Sequence, residues 1–298
     1  MQVVLEINNL SKNYGPVQAL KNVNLQVPAG TVYGILGPNG SGKTTMLGII
    51  MDILRPTLGY VKLFGETPNE HHRKKIGTLL ETPNFYHYLS GKENLEIAAA
   101  IKGVANPDID GVLEKVNLAQ RKNSKFQTYS LGMKQRLAIA SCLVGNPEVM
   151  VFDEPTNGLD PVGIAEIRDL IKKLAREGKT IIMASHLLDE VEKVCTHVAI
   201  LKKGVMIASG HVDEILVQDD VAEVSADDGH ALLQALQVMP GKTNLHPTDE
   251  GRMAIHFPPG TANLAALNQH CFNHGLVLNY LQIKRKSLEM KFLELTNE

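Results

Sequence analysis

An α/β domain with an inserted helical region and a small α+β appendage is the fold class that this sequence predicts, on three observations. Four runs, "TVYGILG", "EVMVFDE", "TIIMASH" and "HVAILKKG", read as short strands. The first three are almost continuously apolar, as strands buried on both faces of a largely parallel sheet must be. Between Tyr86 and Gly145 the strand signal lapses into consecutive helical patterns, and after about Ile215 the texture changes again.

Each element has its own warrant in the order of the chain. Strand "TVYGIL" runs into a glycine-rich turn and then into the helical stretch "TTMLGIIMDIL". The three patterns "GKENLEIAAAIKG", "DIDGVLEKVNL" and "SLGMKQRLAIASCLVG" make a helical subdomain over about 86–145, inserted into an α/β domain over 1–214. "PVGIAEIRDLIKKLAREG" is a helix between two buried strands, the arrangement that a parallel sheet requires. From 215 to 298, "VAEVSADD", "ALLQALQVM", "MAIHF", "NLAALNQHCFNHG" and "LVLNYLQIK" read as strand, helix, strand, helix, strand. The segments "GKTNLHPTDEG" and "PPGTAN" between them read as turns, because no strand feeds directly into a helix there.

Composition bounds the functions available. Of the 298 residues, 44% are hydrophobic, enough for a sizeable core, and 30 basic against 32 acidic residues leave a formal charge of -2. No overall basic surface advertises a nucleic-acid partner. Cys142, Cys195 and Cys271 stand 53 and 76 residues apart, a spacing of neither a zinc site nor a disulfide framework, so buried thiols in a reducing compartment are expected. No apolar run approaches the ~18 to 20 residues that span a bilayer, and "MQVVLEINNL" lacks a basic flank before an apolar core. A soluble, unexported chain is expected, which leaves a membrane-bound partner open.

Two motifs carry chemistry on their residues alone. "GPNGSGKTT", Gly37 to Thr45, has the phosphate-loop pattern in its strand-loop-helix setting. Gly37, Gly40 and Gly42, with Asn39 and Ser41 between them, let successive backbone amides curl around phosphate oxygens at a helix N-terminus. Lys43 supplies a point charge to the outer phosphates and Thr44 a hydroxyl to magnesium, with Thr45 following in the loop. "EVMVFDEP", Glu148 to Pro155, is a buried strand ending on two acids, an expensive place to leave charge uncompensated. Asp153 suits the magnesium sphere, and Glu154 can point at a water attacking the terminal phosphate.

With those two motifs in order, the chain resembles the ATP-binding subunits of ABC transporters, over roughly residues 3 to 212. "YSLGMKQR", Tyr129 to Arg136, resembles the family signature, whose serine and glycine face the terminal phosphate of a nucleotide held by a second subunit; Ser130 and Gly132 match it. Leu131 and Met133 depart from the commoner glycine and glutamine. "NGLD" ends on Asp160 and resembles the loop that communicates across the dimer, and His186 in "ASHLLDEVE" stands where the family's switch histidine does. Tyr14 in "KNYGPVQAL" resembles the aromatic that stacks on adenine, with a plain edge-strand tyrosine as the alternative. Glu81 in "IGTLLETP" occupies the position of a glutamine that contacts magnesium and relays nucleotide state to the membrane subunit. Glutamate there resembles subunits of bacitracin- and lantibiotic-type exporters, and the closing "SLEMKFLELT" resembles the end of drug- and antibiotic-exporting ATP-binding subunits, with an amphipathic helix packing on its own domain as the alternative.

The resemblance implies a P-loop NTPase core of ABC type, hydrolysing ATP with magnesium in a head-to-tail dimer of ATP-binding subunits. It implies a membrane-spanning transporter subunit on a separate polypeptide, a peripheral place at the cytoplasmic face of the membrane, and export of peptide antibiotics or drugs. A non-transport ABC ATPase acting on nucleic acid or ribosomes is the alternative, but the coiled-coil insertion, zinc cysteines or tandem halves that would mark it are absent. A kinase or GTPase on the same phosphate loop leaves "YSLGMKQR" and His186 unexplained.

Overall fold

A computed structural model of the chain describes residues 2–80, 84–216, 220–248, 250–284, 288–289 and 291–292, in two compact units, Met1–Val212 and Asp213–Glu298. In the first, a six-stranded sheet runs in the order β5 (Ile76–Leu79), β6 (Val149–Asp153), β7 (Thr180–Ser185), β3 (Val32–Leu36), β8 (His197–Lys202), β9 (Val205–His211). All neighbours are parallel except β9, which is antiparallel to β8. Every residue of β3, β6 and β7 is buried, which is why those runs read as continuously apolar. Helix α1 (Lys43–Ile50) follows β3, α6 (Pro161–Arg176) joins β6 to β7, and α7 (Leu188–Val194) joins β7 to β8.

A second sheet, antiparallel in the order β2 (Val17–Pro28), β1 (Val3–Tyr14), β4 (Leu58–Leu63), adds a layer that the sequence reading does not contain. The cause lies in β1, whose pairing with β2 shifts register four times, so its apolar residues never settle into period-two alternation. Buried residues of β1, β2 and β4 form one core cluster with α1 and the central strands.

Short helix α2 (Glu70–Lys74) precedes β5, and the helical subdomain holds α3 (Gly91–Lys102), α4 (Ile109–Lys115) and α5 (Leu131–Leu143). A reciprocal capping box between Ser90 and Glu93 starts α3, and Gly103, at φ 71°, ends it in the left-handed conformation. Ser130 caps α5, and Asp160 with Pro161 starts α6. The side chain of Lys102 donates to the carbonyls of Ser141 (2.7 Å), Cys142 (3.2 Å) and Val144 (3.4 Å), closing the C-terminal end of α5.

Helix α8 (Val212–Leu216) leads to the second unit: β10 (Asp220–Ala226), α9 (Gly229–Gln237), β11 (Asn244–Pro247), β12 (Met253–Phe257), α10 (Leu264–Asn273) and β13 (Leu278–Lys284). Its antiparallel sheet in the order β11, β12, β10, β13 is the β-α-β-β-α-β arrangement of ferredoxin-like folds, with Ala222, Val224, Ile255 and Phe257 packed on Leu232, Leu236 and Leu267. This corrects the reading of "GKTNLHPTDEG" as a turn, since β11 pairs with β12 from Asn244↔His256 to Pro247↔Met253. Four residues with one aliphatic among them carry no periodicity, and Pro247 is tolerated because β11 is an edge strand. Among the described residues, no helix is long and apolar enough to cross a membrane.

Candidate functional site

The phosphate loop is built by close backbone approach. A Cβ at Gly37 would collide with the carbonyl of Leu201 and the Ser41 side chain, and one at Gly42 would fall 2.6 Å from the carbonyl of Ala19. Gly40 and Gly42 also stand at φ 79° and 108°, where a side chain is strained. The turn delivers Lys43 as the first residue of α1, whose N-terminal end takes no side-chain cap. The Lys43 ammonium is buried and donates to the carbonyls of Gly37 (2.8 Å) and Pro38 (3.4 Å).

Strands β6 and β7 supply the acids and the histidine. Thr44 donates its hydroxyl to Asp153 Oδ2 at 2.9 Å, joining the start of α1 to the tip of β6. One residue on, Glu154 has φ 48° and donates its amide to the carbonyl of Ala184 on β7 (3.0 Å). Its carboxylate stands between Lys43 Nζ, 3.6 Å from Oε1, and His186 Nδ1, 2.9 Å from Oε2. The His186 amide also reaches Glu154 Oε2, at 3.4 Å.

Asn39, Gly40, Gly42, Lys43, Thr44, Thr45, Asp153 and Glu154 all line one cavity of about 650 Å³. Gly37 and Ser41 are structural parts of the same loop, and the fully enclosed Ser41 hydroxyl has no protein partner. Tyr14 is not brought to the cavity: it ends β1 at 46% exposure with the Lys12 ammonium 5.1 Å from its ring centre. Ser130, Gly132 and Asp160 gather elsewhere, on a separate cleft shared with Gly158 and Val162. There Ser130 Oγ accepts from the Met133 amide (3.3 Å) and Asp160 Oδ1 from the Gly163 amide (2.8 Å). Glu81 lies outside the described residues.

Sequence reasoning missed several lining residues: Ala19, His87, Phe126, Lys134 and Gln135 share the large cavity. Lys134 and Gln135 stood in the quoted "YSLGMKQR" without a role, and Ala19, His87 and Phe126 belong to no spacing that could announce them. Asn157, also in the lining, stood in the quoted "NGLD" without a role. The three thiols are buried and free, and burial pushes Cys142 up to about 12 and raises Cys195 and Cys271 as well.

The donor set fits a polyphosphate with a hard divalent cation. An enclosed ammonium, an orphaned buried hydroxyl and uncapped helix amides want phosphate oxygens, and the Thr44–Asp153 pair offers two oxygen ligands. Among the described residues no group of three or more His, Cys, Asp or Glu could hold a metal by itself.

Comparison with known proteins extends this geometry. Residues 20–157 match the ABC transporter family profile. A bacitracin transport ATP-binding protein of Enterococcus faecalis is 35% identical over 99% of this chain and 97% of its own length. A lantibiotic transport ATP-binding protein of Streptococcus pyogenes is 39% identical over 70% of this chain and 92% of its own. Among solved structures, cbiO1 of Clostridium perfringens, part of an ABC transporter complex, is 31% identical with a TM-score of 0.67 over 72% of this chain and 91% of its own. A dimeric ATP-binding cassette in a post-hydrolysis state, bound to ADP and phosphate, is 30% identical with a TM-score of 0.62 over 70% and 98%.

Proposed function

This chain belongs to the ATP-binding subunits of ABC transporters, and from that premise we propose that Glu154 activates the water that hydrolyses ATP and that the work drives export of a peptide antibiotic or a similar drug. The subunit hydrolyses ATP as a dimer and serves a membrane-spanning subunit on a separate polypeptide. Two relatives at 35% and 39% identity, named for bacitracin and lantibiotic transport, support the cargo class and a peripheral position on the membrane. Nothing in the comparisons supports the nucleic-acid alternative.

One observation carries the chemistry: the Glu154 carboxylate is suspended between the ammonium of Lys43 and the imidazole of His186, beside the Thr44–Asp153 pair. In the proposed reaction Lys43 exchanges its loop carbonyls for the β- and γ-phosphate oxygens, and Ser41 gains a partner in the same step. Glu154, released from Lys43, orients a water in line with the γ-phosphorus and takes its proton. His186 holds Oε2 of Glu154 and touches the γ-phosphate. Thr44 and Asp153, with Glu81, would hold magnesium, which when bound neutralises charge developing on the phosphate oxygens. The separation of Ser130, Gly132 and Asp160 from the Lys43 cavity supports their service to the nucleotide of the second copy. Tyr14, at the exposed end of β1, takes the adenine face.

Glu154→Gln tests the assignment. The amide keeps the shape but is a poor proton acceptor, so hydrolysis should fall by about two to four orders of magnitude while ATP still binds and a dimer accumulates with magnesium-ATP. Undiminished turnover, with only monomer on size-exclusion chromatography, contradicts both the role and the shared site.

A further inference from the structure

The loop 84–89 exposes Tyr86 and Tyr88, at 51% and 66% of their surface, yet its backbone is held from two sides. From α3, Asn94 is buried at 2% exposure and spends its whole amide on holding the loop. Its Oδ1 accepts from the Tyr86 amide (2.8 Å), and its Nδ2 donates to the carbonyls of Tyr86 (3.1 Å) and Ser90 (2.9 Å). Along the other side runs the strip 122–129. The Phe126 amide donates to the carbonyl of Leu89 (2.8 Å) and that of Gln127 to His87 (3.0 Å). The first amides of α3 return the bonds, from Gly91 to Ser124 O (3.3 Å) and from Lys92 to Lys122 O (3.0 Å). Tyr129 closes the block: its hydroxyl donates to the carbonyl of Arg121 (2.8 Å) and lies against Gly91, where a Cβ would meet it. The next residue is Ser130.

We propose that Asn94 is a positioning residue that fixes the exposed tyrosine loop to the start of α3, which backbone bonds tie with the loop to the strip 122–129, so that displacement of the loop is displacement of Ser130. The inference rests on the reading of Ser130 as a group serving the nucleotide of a second copy, and it deepens that reading by naming what controls its position. A membrane-subunit segment seated on Tyr86 and Tyr88 then acts on the site of the opposite chain through Ser130. Three backbone-directed bonds from one buried amide, four backbone bonds to the strip and an aromatic seat on Gly91 make the block stiffer than a loop with two exposed tyrosines would be alone.

Asn94→Asp keeps the acceptor for the Tyr86 amide and loses both donations. In the isolated full-length protein its amide hydrogen exchange should rise together, by about tenfold, in 86–90 and in 124–130. Monomer affinity for ATP should stay within about twofold while hydrolysis at low chain concentration drops by about tenfold, as for Ser130→Ala. Gly91→Ala, which drives a methyl into the Tyr129 hydroxyl, should reproduce the pattern from the other side of the block. Tyr129→Phe removes the bond to Arg121 and should reproduce it weakly.

Faster exchange confined to 84–90, with 124–130 still protected and hydrolysis unchanged, would overturn the proposal. So would equal loss of monomer ATP binding in Asn94→Asp and Gly91→Ala, because the effect would then be a general loosening of the subdomain. No membrane subunit enters these measurements. Their failure leaves docking at the tyrosines standing, whereas failure of Ser130→Ala to affect hydrolysis would remove the premise instead.

Discussion

Glu154 pays for its place with backbone strain, since a glutamate at φ 48° is held in a region that costs about 1 kcal/mol or more. What fixes it there is the amide bond to Ala184 together with Lys43 and His186 on its carboxylate. Lys43, Thr44, Asp153 and Glu154 were legible in the sequence because phosphate chemistry demands fixed residue types at the ends of buried strands. Tyr14 was named by resemblance alone, and its ring meets Lys12 rather than the cavity. Ala19 and His87 were invisible because they reach the cavity through tertiary packing. Lys43→Ala should lose nucleotide affinity by two orders of magnitude or so, whereas Ser130→Ala should leave monomer binding intact and impair hydrolysis that depends on the dimer. Equal loss of monomer ATP binding in both variants would place Ser130 in the same-chain site. The thiols give a simpler test. Burial raises Cys142, Cys195 and Cys271, so less thiolate is present at any pH near neutrality, and the native protein should react with no equivalent of a thiol reagent until it unfolds.

At the scale of elements, the strands of the first unit that read most directly, β3, β6 and β7, are those buried on both faces, because there the requirement for apolar side chains is continuous. Two of the missed strands show the limit: β1 breaks its alternation with bulges, and β11 takes its place by pairing with β12 and not by pattern. Helix α5 shows a related limit. Its N-terminal cap was visible as Ser130 in a motif, but its C-terminal closure by Lys102, from 39 to 42 residues earlier in the chain, was not. That lysine is desolvated, which lowers its pKa, and its side-chain nitrogen lies against three carbonyls. Lys102→Met keeps the aliphatic stem and leaves those carbonyls without a charged donor. It should destabilise the larger unit by about 1.5–3 kcal/mol, a loss read from the urea midpoint at unchanged slope. A midpoint equal to that of the parent protein would show that water replaces the ammonium at no cost.

On the scale of the whole molecule, the chain is two folding problems in sequence, the first with two sheets and the second with one, and each with its own core. Every candidate nucleotide-site residue among the described ones lies in Met1–Val212, and the family profile, over 20–157, lies wholly inside it. The lantibiotic relative points the same way, since 92% of its length is matched by only 70% of this chain. The appendage was legible as α+β from its alternating strand and helix patterns, but its ferredoxin-like order depends on β11, which the pattern hid. A chain ending at residue 216 should therefore fold, bind ATP and hydrolyse it at rates within a few-fold of the full chain. The full chain should unfold in two calorimetric transitions, because cooperativity follows a shared core and each unit has one. Nucleotide supplies the internal control. ATP with magnesium at about 100 times its Kd, added to the Glu154→Gln variant so that it is not consumed, adds about 2.7 kcal/mol to whatever unit binds it. Only the transition retained by the 216-residue chain should move upward, with the other left at its original temperature. A single transition that shifts as a whole, or loss of ATP binding on truncation, would mean that the C-terminal unit is part of the ATPase fold.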